Sequence, residues 1–221
     1  MEAPQKTRFK ICCISSLGEA KTAIKYGASA LGLVSEMPSG PGVIDNELIK
    51  EIALHTPPPI STFLLTSKTD AKEIIAQQKE LQTNAIQIVD ELKTGTYTEI
   101  KEALPGIKLI QVVHVMDDAS VQYAAKVSKQ VDALLLDSGN PNLTIKVLGG
   151  TGKVHNWVLS KKIRESVNIP IFLAGGLNPG NAQKAIEQVG PFALDLCSGV
   201  RTEGKLDENK LAAFVNAVES N

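Results

Sequence analysis

The chain has 221 residues, a formal net charge of −1 and 43% hydrophobic residues. A chain of this size and composition can bury a full core, which excludes global disorder. The balanced charge forms no basic stripe, so nucleic acid is not expected as a partner. No apolar run approaches the ~20 residues needed to span a bilayer, and residues 1–7 lack the apolar segment of a signal peptide. A membrane partner is therefore not expected either.

The alternation of short apolar runs with amphipathic stretches is regular along the chain. The apolar runs predict eight strands, at residues 8–15, 30–34, 60–65, 85–89, 107–115, 133–137, 170–174 and 192–197. The stretches between them predict eight helices, at residues 17–26, 46–55, 70–82, 97–104, 119–129, 157–166, 181–188 and 208–218. The first helix has Ser16 as N-cap, Glu19 three residues later and Gly27 after its end, which are residue types that start and stop helices.

This order of elements predicts the fold class. Strands that alternate with helices, without a break in composition, indicate an α/β protein with a parallel sheet and one domain over residues 1–221. The count favours a single (β/α)8 barrel, whose usual length of roughly 250 residues is close to that of this chain. An open doubly wound sheet is the alternative. It usually carries a phosphate loop after its first strand, and the turn at residues 15–18 lacks Gly-x-Gly-x-x-Gly.

Cysteine and histidine usage limits the chemistry. The three cysteines, Cys12, Cys13 and Cys197, are too few and too unevenly spaced for a disulfide scaffold. We therefore expect reduced thiols and a cytoplasmic protein. The three histidines lack the spacing of metal ligands, so no metal site is predicted.

Two predicted strand ends carry groups suited to proton transfer. Cys12 shares a strand face with Lys10, and this face suits the barrel interior. The nearby lysine charge favours a thiolate at Cys12. Cys13 lies on the other face and is predicted to pack against the helices. Asp137 follows three leucines at the carboxyl end of a buried strand, where barrel active sites lie. The alternatives are a core cysteine and a loop or capping aspartate. As a proton-transfer pair, the thiol and the carboxylate would meet in one pocket.

Glycine-containing turns follow the last two predicted strands. Gly175 and Gly176 come after the seventh strand, and Ser198 and Gly199 come after the eighth. Glycines let backbone N–H groups approach an anion, and these two loops are the recurrent phosphate site of the barrel. Asp195 lies inside the eighth strand and needs a partner or a ligand. The sequence thus predicts a small phosphorylated substrate.

A third glycine-rich segment lies at residues 149–153. It resembles part of a P-loop, but Val154 follows Lys153 where Ser or Thr is required. We interpret this segment as a mobile loop over the site rather than a nucleotide cradle.

Several segments, taken together, carry a family resemblance. They are residues 10–12, 30–34, Gln87, 135–138, 149–152, Trp157, 173–179, Asp195, 198–200, Gly204, Lys205 and Asp207. Through them the chain resembles the phosphoribosylanthranilate isomerase family over nearly its whole length. The resemblance implies a (β/α)8 barrel that performs an Amadori rearrangement in tryptophan biosynthesis without a cofactor. It also implies that Cys12 is the general base, that Asp137 is the general acid, that the two late loops hold the phosphate, and that Asp195 contacts the sugar.

The chain departs from the family pattern at several positions, among them Val89 in place of a histidine and Asn156 in place of an aspartate. Cys13 stands where the family usually has glycine, and Gly-Pro-Gly at residues 40–42 replaces a Ser-Pro-Arg loop whose arginine pairs with the anthranilate carboxylate. Loss of such a contact costs about 1.5–3 kcal/mol. Lys68 and Arg201 are the candidate replacement cations. The alternatives are a binding or regulatory paralogue without turnover and an isomerase of a different phosphosugar.

Overall fold

The computed structural model describes residues 7–139 and 155–219, so the glycine-rich segment 149–153 lies outside the described residues. Strands β1 to β8 are, in chain order, Arg8–Ile11, Ala30–Val34, Ser61–Thr66, Ala85–Ile88, Lys108–His114, Ala133–Asp137, Ile171–Leu173 and Ala193–Leu196. Helices α1 to α8 are Leu17–Lys25, Asn46–His55, Ala71–Leu81, Tyr97–Ala103, Asp118–Val127, Trp157–Ser166, Ala182–Val189 and Glu208–Glu219. In these two ranges, no helix is long and apolar enough to cross a membrane.

The eight strands form one closed parallel barrel in sequential order, which confirms the predicted (β/α)8 fold. The barrel closes where β8 pairs with β1, with Lys10 opposite Asp195. A short hairpin follows β8, formed by β9 (Arg201–Thr202) and β10 (Lys205–Leu206). Because parallel strands end at the same rim, the segments that follow β1 to β8 meet there.

Side chains divide between two apolar cores. The larger core lies between the sheet and the helices, where Phe9 of β1 meets Phe214 of α8 with ring centroids 5.5 Å apart. The smaller core fills the barrel interior and includes Phe63 and Phe172. On β6 and β8 the inward positions end in carboxylates rather than apolar side chains. The barrel interior is therefore apolar along most of the strands and polar at their carboxyl-terminal rim.

Strand β1 is shorter than predicted, and this changes the orientation of Cys13. The strand ends at Ile11, and Cys13 adopts a left-handed backbone with φ of 62°. The strand alternation therefore stops, so that Cys13 turns to the interior side while Ile14 packs in the outer core. The prediction that Cys13 packs against the helices is wrong for this reason.

Helix α1 begins and ends as its sequence predicts. The Ser16 side chain accepts a hydrogen bond from the backbone N–H of Glu19 at 3.1 Å. Gly27 follows the helix with φ of 88°, a conformation that suits glycine. Both ends of α1 therefore carry the residue types that the sequence predicts.

Candidate active site

A cavity opens at the carboxyl-terminal rim of the barrel. Every predicted site residue except Gly199 lines it, namely Cys12, Asp137, Gly175, Gly176, Asp195 and Ser198. Cys12 follows β1, Asp137 ends β6, and the others belong to β8 or to the loops after β7 and β8. The cavity therefore brings a thiol, two carboxylates and two glycine turns together from distant parts of the sequence.

Lys10 and Asp195 form a buried ion pair beside the thiol. The Lys10 Nζ lies 2.7 Å from the Asp195 Oδ1, and the lysine side chain is fully buried. Burial opposes the lysine charge, but the attraction of the Asp195 carboxylate and its hydrogen bond outweigh this and raise the pKa of Lys10. Lys10 thus stays protonated, and one buried cation supports both the carboxylate and the sulfur.

Asp137 has a different environment, since no described lysine or arginine pairs with it in residues 7–139 and 155–219. Its Oδ1 accepts a hydrogen bond from the backbone N–H of Ser138 at 2.7 Å. Burial raises the pKa of Asp137 and the charge of Asp195 adds to this, although the Ser138 N–H and His114 act in the opposite direction. A carboxyl group that retains its proton more strongly than usual is suited to general-acid catalysis. The two carboxylates of the cavity therefore have different environments and different chemical capacities.

Arg201 fixes the backbone around the thiol. Its guanidinium donates to the carbonyl oxygens of Cys12 and Cys13 and pairs with the Glu19 carboxylate at 3.0 Å. Glu19 also accepts a hydrogen bond from the Leu206 N–H, so its carboxylate connects the β1–α1 loop to the hairpin. These hydrogen bonds occupy the Arg201 guanidinium, and Arg201 does not line the cavity. It therefore does not replace the missing loop arginine.

Lys68 does not line the cavity either. It lies in a separate surface groove, 3.9 Å from the Glu73 carboxylate. Met37, Gly40 and Pro41 line the cavity at the position of the replaced loop. Among the described residues that line the cavity there is neither lysine nor arginine. Neither candidate replacement cation lines the cavity.

The glycines of the two late loops have different structural roles. Gly175 and Gly176 are left-handed, with φ of 83° and 64°, and both line the cavity. Gly199 does not line the cavity, and a Cβ at this position would overlap the carbonyl oxygen of Leu177. Gly199 thus lets the loop after β8 pack closely on the loop after β7.

Two residues without a predicted role contribute to the site. Gln87 on β4 is buried and lines the cavity, and within the described part of the chain its Oε1 has no hydrogen-bond partner. Gly32 on β2 makes room for the thiol, since a Cβ there would lie 3.0 Å from the Cys12 Sγ. Signals for both are present in the sequence: a glutamine inside an apolar strand must find a partner, and a glycine inside a strand often marks a close approach.

The fold and this cavity define a class of protein, a (β/α)8-barrel enzyme with acid–base groups at the carboxyl-terminal rim. In residues 7–139 and 155–219, no group of three or more His, Cys, Asp or Glu side chains is arranged to hold a metal ion. Residues 9–217 match the family described as N-(5'-phosphoribosyl)anthranilate (PRA) isomerase. The chain belongs to this family of isomerases of tryptophan biosynthesis.

Individual relatives agree with the family assignment. An N-(5'-phosphoribosyl)anthranilate isomerase of Methanosarcina acetivorans is 34% identical over 229 residues, covering 96% of this chain and 93% of the relative. The crystal structure of the Thermotoga maritima phosphoribosyl anthranilate isomerase has a TM-score of 0.81 at 28% identity, covering 97% of this chain and 100% of that one. A further isomerase structure holds reduced 1-(o-carboxyphenylamino)-1-deoxyribulose 5-phosphate, with a TM-score of 0.78, 25% identity and the same two coverages.

Proposed function

We propose that this chain isomerises N-(5'-phosphoribosyl)anthranilate with Cys12 as general base and Asp137 as general acid. One observation carries the proposal: both side chains line the same cavity, Cys12 after β1 and Asp137 at the end of β6. Strands β7 and β8 separate these two in the closed barrel, so the groups face a bound sugar from different sides. Family membership independently supports the reaction.

Asp137 starts the proposed reaction by ring opening. Its raised pKa keeps a proton available, and the carboxyl donates this proton to the furanose ring oxygen. The bond between the anomeric carbon and the ring oxygen breaks, and the nitrogen lone pair forms an iminium. The ring oxygen leaves as a hydroxyl group, and Asp137 becomes a carboxylate.

Cys12 performs the second step. Its thiolate, beside the Lys10 ammonium, removes the proton from the sugar carbon next to the iminium. The electron pair of that C–H bond forms a carbon–carbon double bond and neutralises the iminium nitrogen. The resulting enolamine takes up a proton at the former anomeric carbon and loses the enol proton, which yields the aminoketone.

The remaining polar groups of the cavity are assigned to binding. Gly175, Gly176 and Ser198 are proposed to hold the phosphate, and Asp195 to hold a sugar hydroxyl. The unpartnered Oε1 of Gln87 is an additional acceptor for a substrate O–H or N–H group. A phosphorylated, carboxyphenylamino-substituted sugar bound to a related isomerase supports this substrate class. Three free thiols are consistent with the proposed cytoplasmic location.

A second candidate substrate class is favoured by the absence of lysine and arginine from the described cavity lining. Without an ion pair to the anthranilate carboxylate, phosphoribosylamines of other aromatic amines would be accepted with similar efficiency. A comparison of substrates with and without the carboxylate tests this, because a strong preference for the carboxylate would contradict it.

A fluorescence assay of substrate consumption tests the main proposal. We expect Cys12→Ala and Asp137→Asn each to lower kcat by about 100-fold or more, the usual contribution of a general acid or base. Unfolding midpoints measured in parallel separate loss of chemistry from loss of folding. Full activity of both folded variants would contradict the proposal.

A further inference from the structure

Two thiols that the proposed reaction does not use lie side by side in the cavity. The Sγ atoms of Cys13 and Cys197 are 2.7 Å apart, and both residues line the cavity. They belong to the segments after β1 and β8, and both are free cysteines. A disulfide needs a sulfur separation of about 2.05 Å. A movement of well under 1 Å would therefore join them.

The surroundings hold Cys13 in this position. Its sulfur lies 3.6 Å from the Pro41 carbonyl oxygen, and its carbonyl accepts from Arg201. Gly42 is left-handed, and a Cβ there would overlap the Cβ of Cys13, so the loop after β2 leaves room for this side chain only because residue 42 is glycine. These three contacts fix the position of Cys13, which is the buried partner of the pair.

We propose that Cys13 and Cys197 form a redox-active dithiol, which a hydroperoxide or a small disulfide such as oxidised glutathione converts to a disulfide at the mouth of the active site. Cys12 lies next to one partner in sequence, and Ser198 follows the other. The bond would join the segment that carries the proposed base to the loop that holds the phosphate.

Cys197 is the sulfur that reacts first. It is half-buried whereas Cys13 is buried. The hydrogen bond with Cys13 lowers the pKa of Cys197, against the effect of burial and with help from the charges of Arg201 and Lys10. Hydrogen bonds with Cys12 and Cys197, together with burial, raise the pKa of Cys13. Cys197 is therefore the more readily deprotonated sulfur of the pair and Cys13 the one that keeps its proton more strongly, an arrangement that favours attack by Cys197.

Hydrogen peroxide would oxidise Cys13 and Cys197 to a disulfide in two steps. The Cys197 thiolate attacks one peroxide oxygen, the O–O bond breaks, and hydroxide leaves, so that Cys197 becomes a sulfenic acid. The Cys13 sulfur then attacks the Cys197 sulfur, the S–O bond breaks, and the thiol proton of Cys13 leaves with the departing oxygen as water. The hydroxide takes the proton originally lost by Cys197. Two thiols are oxidised by two electrons, and one peroxide is reduced to two waters.

The disulfide is expected to slow catalysis, and this part rests on the proposed function. Bond formation pulls the phosphate loop and the Cys12 segment towards each other, and it removes the thiol hydrogen bonds around Cys12. Small displacements of positioned groups are costly, so we expect kcat/KM to fall by about tenfold or more. Reduction with dithiothreitol should restore it.

Mass spectrometry tests the chemistry without any activity measurement. After mild oxidation with hydrogen peroxide, trypsin should release residues 11–21 linked to residues 185–201, two hydrogen atoms lighter than the separate peptides. Residues 11–21 contain both Cys12 and Cys13, so the wild-type link alone does not identify the partner of Cys197. In Cys12→Ser only Cys13 and Cys197 remain, and this variant should still form the link. Absence of the link in Cys12→Ser, or its persistence in Cys13→Ser, would overturn the proposal.

Activity tests the regulatory consequence, with each variant compared to its own reduced form. Wild type should lose activity reversibly under mild oxidation, whereas Cys197→Ser should keep most of its reduced activity. Equal inactivation of wild type and Cys197→Ser would overturn the switch, because direct oxidation of Cys12 would then be the cause. If reduced wild type shows no turnover at all, the proposed function fails while the peptide link still decides the thiol chemistry.

Discussion

The two walls of the cavity differ in how they use charge. The charged wall consists of Cys12, Asp137 and Asp195, with the fully buried Lys10 behind it. The uncharged wall comes from β2, β3 and the segments that follow β2 and β4. It consists of Val34, Met37, Ser39, Gly40, Pro41, Leu65 and Val89. One cavity thus combines a wall of ionisable groups, of which Asp195 is paired with Lys10, and a wall without ionisable side chains.

The two walls would have different roles in the proposed reaction. Proton transfer and anion binding need polar groups that are oriented before the substrate arrives, and the charged wall supplies them. A flat aromatic ring needs only apolar area and shape, which the uncharged wall supplies. Changes to the charged wall should therefore affect stability and catalysis strongly, whereas changes to the uncharged wall should affect selectivity and little else.

The largest expected effect is on stability, from Lys10→Met. This change leaves the Asp195 carboxylate buried without its partner 2.7 Å away. Removal of one member of a buried pair typically costs about 3–5 kcal/mol, which urea unfolding would measure. The double variant Lys10→Met/Asp195→Leu is the matched control and should be clearly more stable than Lys10→Met alone. Equal stability of the two variants would show that the loss of stability in Lys10→Met does not come from an unpaired Asp195 carboxylate.

The next effect is on phosphate binding, from Gly176→Asp. Both Asp and Asn tolerate the left-handed backbone that Gly176 adopts, so Gly176→Asn is a control that differs only in charge. A carboxylate beside the phosphate should raise KM by about tenfold or more relative to the Asn variant, equivalent to about 1.4 kcal/mol. Similar KM values for the two variants would argue against a phosphate at this turn.

Asp137→Asn should change stability in the opposite direction to its effect on activity. The folded chain binds the Asp137 proton more tightly than the unfolded chain does, since burial raises the pKa. This stabilisation is complete at low pH and is lost as the pH rises from the unfolded value of about 3.9 through the higher folded value. Thermal unfolding should therefore show Asp137→Asn more stable than wild type at pH 7. The advantage should vanish near pH 3, and an advantage that is the same at both pH values would contradict the assignment.

The smallest effect is expected on the uncharged wall, from Ser39→Arg. Ser39 lines the cavity in the loop that lacks the family arginine. An ion pair at such a partly exposed position contributes up to about 1 kcal/mol, so KM for the carboxylate-bearing substrate should fall by no more than about fivefold. Ser39→Gln controls for side-chain size. A similar gain for a substrate without the carboxylate would show that the arginine acts through packing rather than charge.

Local sequence features were sufficient for the scaffold and for much of the site. Apolar runs and helix caps locate the strands and helices, and strand ends place Cys12 and Asp137 at one rim because parallel strands share their polarity. Long-range contacts determine what the sequence did not reveal. Cys13 leaves the strand pattern in a pocket made by Gly42, and Arg201 pairs with Glu19 across 182 positions of sequence. Neither the backbone conformation of Cys13 nor the partner of Arg201 is encoded by its sequence neighbours.

The ion pair between Lys10 and Asp195 also has a consequence for the order of folding. It bridges the seam at which the first strand meets the last, with Lys10 directly opposite Asp195. During synthesis β1 emerges first, but its lysine has no carboxylate partner on the neighbouring strand until β8 has been made. An isolated ammonium is costly to bury, so β1 is disfavoured from docking stably before the last strand arrives. Barrel closure and assembly of the charged wall are therefore one late event, and a nascent chain that ends before residue 193 would have neither.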